Sequence, residues 1–85
     1  MTTRKRIIAA ANTVAPAILE LERLGFVISA PEAGETFIAT RGNETYSAED
    51  PVTVLGLVRL VELRTWEWGA TDAEIESVLE KYGLG

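Results

Sequence analysis

Apolar and polar positions recur with helical spacing in three segments and alternate in the middle of the chain. The densest apolar stretch, residues 47–68 (SAEDPVTVLGLVRLVELRTWEW), sets the terms for the others. Ser47 followed by Asp50 reads as a capping box, and Pro51 suits a first helical turn, where its missing N–H costs nothing. On a 3.6-residue wheel Val54, Leu57, Val58, Val61 and Trp68 form one broad face, while Val52, Leu55, Leu63 and Trp66 spread around much of the remainder. Only Arg59 and Glu62 on one side, and Thr53, Arg64 and Glu67 on another, offer polar strips to water. A helix this apolar calls for cover on two sides.

Upstream, Ile7, Ala11, Val14, Ile18 and Leu21 repeat at helical spacing, widened by Ile8, Ala15 and Leu19. Pro16 cannot donate to the carbonyl of Asn12, so this helix either kinks there or starts near Thr13 with Pro16 in its first turn. Gly25 is placed as a left-handed cap after Leu24, with Phe26 packing back on Leu21. Residues 26–30 and 36–41 are β-prone and flank a Pro-Glu-Ala-Gly turn at 31–34, which predicts an antiparallel hairpin. Phe26, Ile28 and Ala30 would share one face, as would Phe37 and Ala39. Gly42-Asn43 and the short run 44–46 suggest a third strand. After Gly69-Ala70, Thr71 with Glu74 forms a capping box for a last helix, in which Ile75, Val78, Leu79 and Tyr82 make a stripe and Gly83 ends it. The predicted order is α-β-β-(β)-α-α: one α+β domain over residues 1–85, with the sheet packed on helices.

Composition narrows the chemistry. Of 85 residues 47% are hydrophobic and 25% charged, an ordinary globular balance, and a chain of this length buries only roughly 60–65% of its unfolded surface. A net charge of −5 repels phosphate backbones and argues against nucleic acid and anionic membrane as partners. The charge is uneven, since residues 1–25 carry four basic and two acidic groups while the rest carry four basic and eleven acidic. With no cysteine there are no disulfides or thiolates, and with no histidine the commonest metal ligand and proton shuttle is gone. That pattern fits a reducing cytoplasm. Arg4, Lys5 and Arg6 before an apolar segment imitate a secretion leader, but the helical spacing runs on into residues 20–23, which favours a folded helix.

Candidate chemistry is sparse. Asp72, Glu76 and Glu80 stack at four-residue spacing, which reads as a solvated helix face, because one stripe cannot surround a cation. Arg4, Lys5 and Arg6 lack the interleaved aromatics of a nucleic-acid site and read as a solvated terminus. Ser29, Ser47 and Ser77 have no histidine to activate them, and nothing in the sequence brings Glu44 and Glu49 together as an acid–base pair. Trp66 and Trp68 could serve as core plugs or as a binding platform, with the plug favoured for at least one of them.

The expectation is therefore a non-enzymatic protein-interaction module without cofactor or metal. It would self-associate as a homodimer, or bind another protein, through the apolar helix 51–66. The candidate contact residues are Leu55, Leu60, Leu63, Trp66 and Trp68. The alternative is a small-molecule or effector-binding domain with Trp66 and Trp68 lining a pocket, and a carboxylate enzyme comes third.

Overall fold

A computed structural model describes residues 4–8, 11–29 and 36–84. A 3-10 turn over Ala11–Thr13 leads into α1 (Val14–Arg23), and three strands follow, β1 (Val27–Ser29), β2 (Phe37–Arg41) and β3 (Glu44–Ala48). Helix α2 (Pro51–Arg64), a second 3-10 turn (Thr65–Glu67) and α3 (Asp72–Tyr82) complete the chain. The fold is α+β, in the order α-β-β-β-α-α, and the run predicted at residues 44–46 is a true third strand, two residues longer than the sequence suggests. No helix among the described residues is long and apolar enough to cross a membrane.

Helix α1 starts at Val14 and places Pro16 in its first turn, where the first N–H groups have no helical partner in any case. The kinked alternative is thereby set aside, and with it the helix through Ile7 and Ile8, which lie outside any helix and are exposed. The buried face is also turned from the expected one: Ala17 and Leu21 are buried, while Ala15 and Leu19 face solvent. At the far end the Gly25 N–H donates to the Glu22 carbonyl at 2.9 Å and the Phe26 N–H to the Leu21 carbonyl at 3.0 Å. That is a Schellman motif, made possible by φ of 94° at Gly25. It delivers Phe26 straight into the core beside Leu21.

The sheet is an antiparallel meander in the order β1-β2-β3. Ile28 faces Ala39 in one ladder, and Ala39 faces Tyr46 in the next. Because side chains alternate, Ile28, Phe37, Ala39, Tyr46 and Ala48 point to the helices, while Val27, Ile38 and Ser47 point away. The antiparallel pairing is as predicted; the turn at residues 31–34, and Ala30, fall outside the described residues.

Helix α2 is capped by Asp50 rather than by Ser47. β3 runs on through Ser47, which pairs with Ile38, and the Asp50 carboxylate takes the cap position by accepting from the Thr53 N–H at 2.9 Å and the Thr53 hydroxyl at 2.8 Å. Val54 and Val58 are fully buried, and Leu55, Leu57 and Val61 are half-buried against the same core. The second expected layer of cover is missing: Val52, Gly56 and Leu63, on the opposite side, are exposed. The α-helix also ends earlier than the pattern predicts. Thr65 takes φ of 60° and a 3-10 turn follows, so Trp68 does not extend the Val54–Val58–Val61 face.

Helix α3 has the predicted ends. The Thr71 hydroxyl accepts from the Glu74 N–H at 3.2 Å, the Glu74 carboxylate accepts from the Thr71 N–H at 2.9 Å, and Gly83 closes the helix at φ of 67°. Yet none of its residues is buried, and Ile75, Val78 and Tyr82 all lie in solvent. Among the described residues the core is built from the sheet, α1, α2 and Phe26 between them.

Replacing Gly25 with Val should therefore cost about 1–2 kcal/mol of left-handed strain and lower Tm by roughly 5–15 °C. Replacing Gly83 with Val should leave the main melting transition in place, because α3 contributes no buried side chain. Equal losses in the two variants, read by circular dichroism, would contradict this division of the molecule.

Candidate functional site

Two glutamate contacts and a line of aromatic rings shape the surface beside α2. Arg41, at the end of β2, donates from Nε to Glu44 at 3.1 Å and from Nη1 to the Leu24 carbonyl at 2.9 Å, tying the sheet to the C-terminal end of α1. Its guanidinium lies 4.3 Å from the centre of the Phe26 ring. Phe26 meets Tyr46 edge-on with centroids 5.6 Å apart, and Tyr46 stacks on Trp66 at the same separation with ring planes 24° apart. The Tyr46 hydroxyl donates to Glu44 at 3.0 Å, so its polar tip is satisfied. Hydrogen bonds from Arg41 and then Tyr46 hold the Glu44 carboxyl below its ordinary pKa, while burial first and Glu44 second raise that of Tyr46.

Trp66 therefore has one face on the core and one in water. It remains 58% exposed and Trp68 49%, so neither is the core plug that the sequence favoured. The strained turn at Thr65 is the reason, since it breaks the helix before either indole can continue the buried face. Between them opens a cleft of about 170 Å³, lined by Leu57, Leu60 and Val61 of α2 and by Tyr46, Trp66 and Trp68. Thr45 and Ser47 add hydroxyl groups to its lining.

The five candidate contact residues are divided by this arrangement. Leu60, Trp66 and Trp68 come together in the cleft. Leu55 lies on the other flank of α2 in a shallow groove of about 370 Å³ with Ile7, Pro16, Ala17 and Val52. Leu63 lines neither and is 65% exposed. Asp72, Glu76 and Glu80 are exposed on α3, and among the described residues no acidic side chains gather into a set that could hold a metal ion. Glu44 is engaged by Arg41 and Tyr46, and Glu49 is exposed.

Sequence reasoning missed Tyr46 as a wall of the cleft and the α3 stripe as surface. The first could have been found from β3 alternation, which puts Tyr46 on the inner face. The second had a signal in the ratio of apolar helix faces to a sheet with one inner side.

Comparison with models of protein families, with curated proteins and with solved structures finds no match to this chain.

The Glu44 contacts predict how stability varies with pH. A carboxyl whose pKa is lowered on folding stabilises the fold above its unfolded value, and that contribution disappears as pH falls through the folded value. Asp50, lowered by its bonds from Thr53, acts in the same direction. Tm should therefore drop below about pH 4, the ordinary carboxylate range, and Glu44→Gln should lower Tm at neutral pH while flattening the acid branch. Tyr46 works at the other end: its raised pKa makes its contribution complete below about pH 10 and lost above it. A Tyr46→Phe variant with an unchanged alkaline branch in thermal melts would refute this assignment.

Proposed function

We propose that this chain is a non-enzymatic interaction module that self-associates through the apolar surface left open at the C-terminal end of α2 and along α3. The observation that carries the reading is α3 itself. It is an amphipathic helix of 11 residues with none buried, and an isolated helix shorter than about 12–15 residues is marginal in water. Its stripe of Ile75, Val78 and Tyr82 is built for cover that the described residues do not supply. The magnitudes agree. The chain exposes 7069 Å², roughly 2,100 Å² more than a compact monomer of its mass, whereas a stable interface needs about 800 Å² from each partner. Its radius of gyration is 15.8 Å, where a compact domain of this length has roughly 12 Å. Both figures also include residues that belong to no helix or strand, residues 4–8 among them, so the excess is a ceiling on the surface that α2 and α3 leave open.

A symmetric homodimer is the simplest assembly that removes such a surface. Leu63, Trp66 and Trp68 border it at the C-terminal end of α2, and the two indoles are of the residue type favoured as interface anchors. A second reading has one observation in its favour, the Tyr46–Trp66 stack beside an apolar cleft. At about 170 Å³ that cleft is smaller than the roughly 300–1,000 Å³ of ordinary ligand pockets. It suits one side chain of a partner, or a very small apolar molecule.

Sedimentation equilibrium at micromolar concentration should give twice the 9.2 kDa of one chain. Val78→Glu, at a residue half exposed in the monomer, should weaken the dimer by about tenfold or more while leaving the circular dichroism of the core unchanged. A mass of 9.2 kDa at every concentration, with tryptophan fluorescence saturably shifted by a small non-fluorescent apolar solute such as cyclohexanol, would replace this reading with the pocket.

A further inference from the structure

Resting on that self-association, the structure assigns a seat for α3: we propose that it docks in the groove between the start of α1 and the start of α2 of a second copy, with its carboxylates facing that copy's Arg4, Lys5 and Arg6. Three observations select this groove. The first is charge. Helix α3 carries Asp72, Glu74, Glu76 and Glu80 against Lys81 alone, and only Glu74 is occupied, by the capping box. Arg4, Lys5 and Arg6 are exposed and have no ion-pair partner among the described residues. Arg6 borders a depression of about 570 Å³ with Ile8 that shares Ile7 and Pro16 with the groove holding Val52 and Leu55. An acidic helix with an apolar stripe would thus meet an apolar trough with Arg6 on its border and Arg4 and Lys5 next to it in sequence.

The second is size. The groove and its neighbour together can take several side chains of a helical stripe, whereas the cleft at Trp66 takes about one. The third is placement. The groove lies at the N-terminal end of α2, by Val52 and Leu55, while α3 is tethered beyond the C-terminal end through Gly69-Ala70. In its own chain α3 buries none of its residues, and the groove beside Val52 and Leu55 stays open. A second copy can fill it, and a two-fold axis makes the two α3-to-groove contacts equivalent.

The test is a charge exchange read by sedimentation equilibrium, with circular dichroism confirming that each variant keeps its fold. One variant is Arg4→Glu/Lys5→Glu/Arg6→Glu and the other Glu76→Lys/Glu80→Lys; every substituted residue is exposed. Each alone places like charges in both contacts and should weaken the dimer by about tenfold or more, while an equimolar mixture should pair as a heterodimer near wild-type affinity. Raising salt from about 50 mM to about 500 mM should weaken the wild-type dimer as well. A wild-type dimer with both variants unaffected, or with no recovery in the mixture, overturns this docking and leaves the dimer standing. A wild-type monomer overturns the self-association and this docking with it.

Discussion

Tyr46 carries its ring between the inner face of the sheet and the cleft beside α2, edge-on to Phe26 and stacked under Trp66, with its hydroxyl held by Glu44. The same carboxylate takes Arg41, whose other arm caps the C-terminal end of α1 at Leu24. One side chain therefore joins three decisions: where α1 stops, how β2 and β3 register, and where the chain turns after α2. Phe26 reaches Tyr46 only because Gly25 reverses the backbone within one residue. The buried part of the network is apolar, and its polar atoms sit at the rim, so no desolvated charge is left without a partner.

That arrangement spends all the cover that three short strands possess. A sheet has one inner face here, and Leu21, Val54 and Val58 fill it. Roughly half of α2 and all of α3 remain outside. The sequence announces apolar helices but carries no statement of how much sheet will be available to receive them, which is why the elements were legible and their packing was not. Local signals were strong where chemistry is local. The Thr71–Glu74 box, the Gly83 end of α3 and the Schellman turn after α1 each depend on a few neighbouring residues, and each is found where the residues place it.

Signals that depend on distant partners were weaker. Ser47 could have capped α2 had β3 ended earlier, but pairing with Ile38 takes it into the sheet, and Asp50 is then the nearest residue able to cap. Trp66 and Trp68 read as core because apolar spacing continues to residue 68, yet Thr65 adopts a left-handed φ that no periodicity can foretell. Among the candidate contact residues, Leu60 joins the two indoles while Leu55 turns to α1 and Leu63 to solvent, a split that follows from the 100° advance per residue once Val54 and Val58 define the inward direction.

The two ends of α3 are capped as well as a short helix allows, and that has a consequence for how association and folding are linked. An N-cap contributes about 1 kcal/mol, and the macrodipole a few tenths more from Asp72 and Glu74 in the first turn and Lys81 in the last. Against this stand the like charges of Asp72, Glu76 and Glu80 at four-residue spacing and the cost of nucleating a helix with no neighbour to pack on. Nucleation, at a factor of roughly 10⁻³, outweighs what the caps return, so the helix is marginal in isolation. Anything that covers Ile75, Val78 and Tyr82 then supplies the decisive free energy, and anything that supplies opposite charge relieves the repulsion along the acidic stripe at the same time. A partner surface that is apolar at its centre and basic at its edge does both, and in this molecule the groove at Ile7, Val52 and Leu55 is apolar, with Arg6 on the depression beside it.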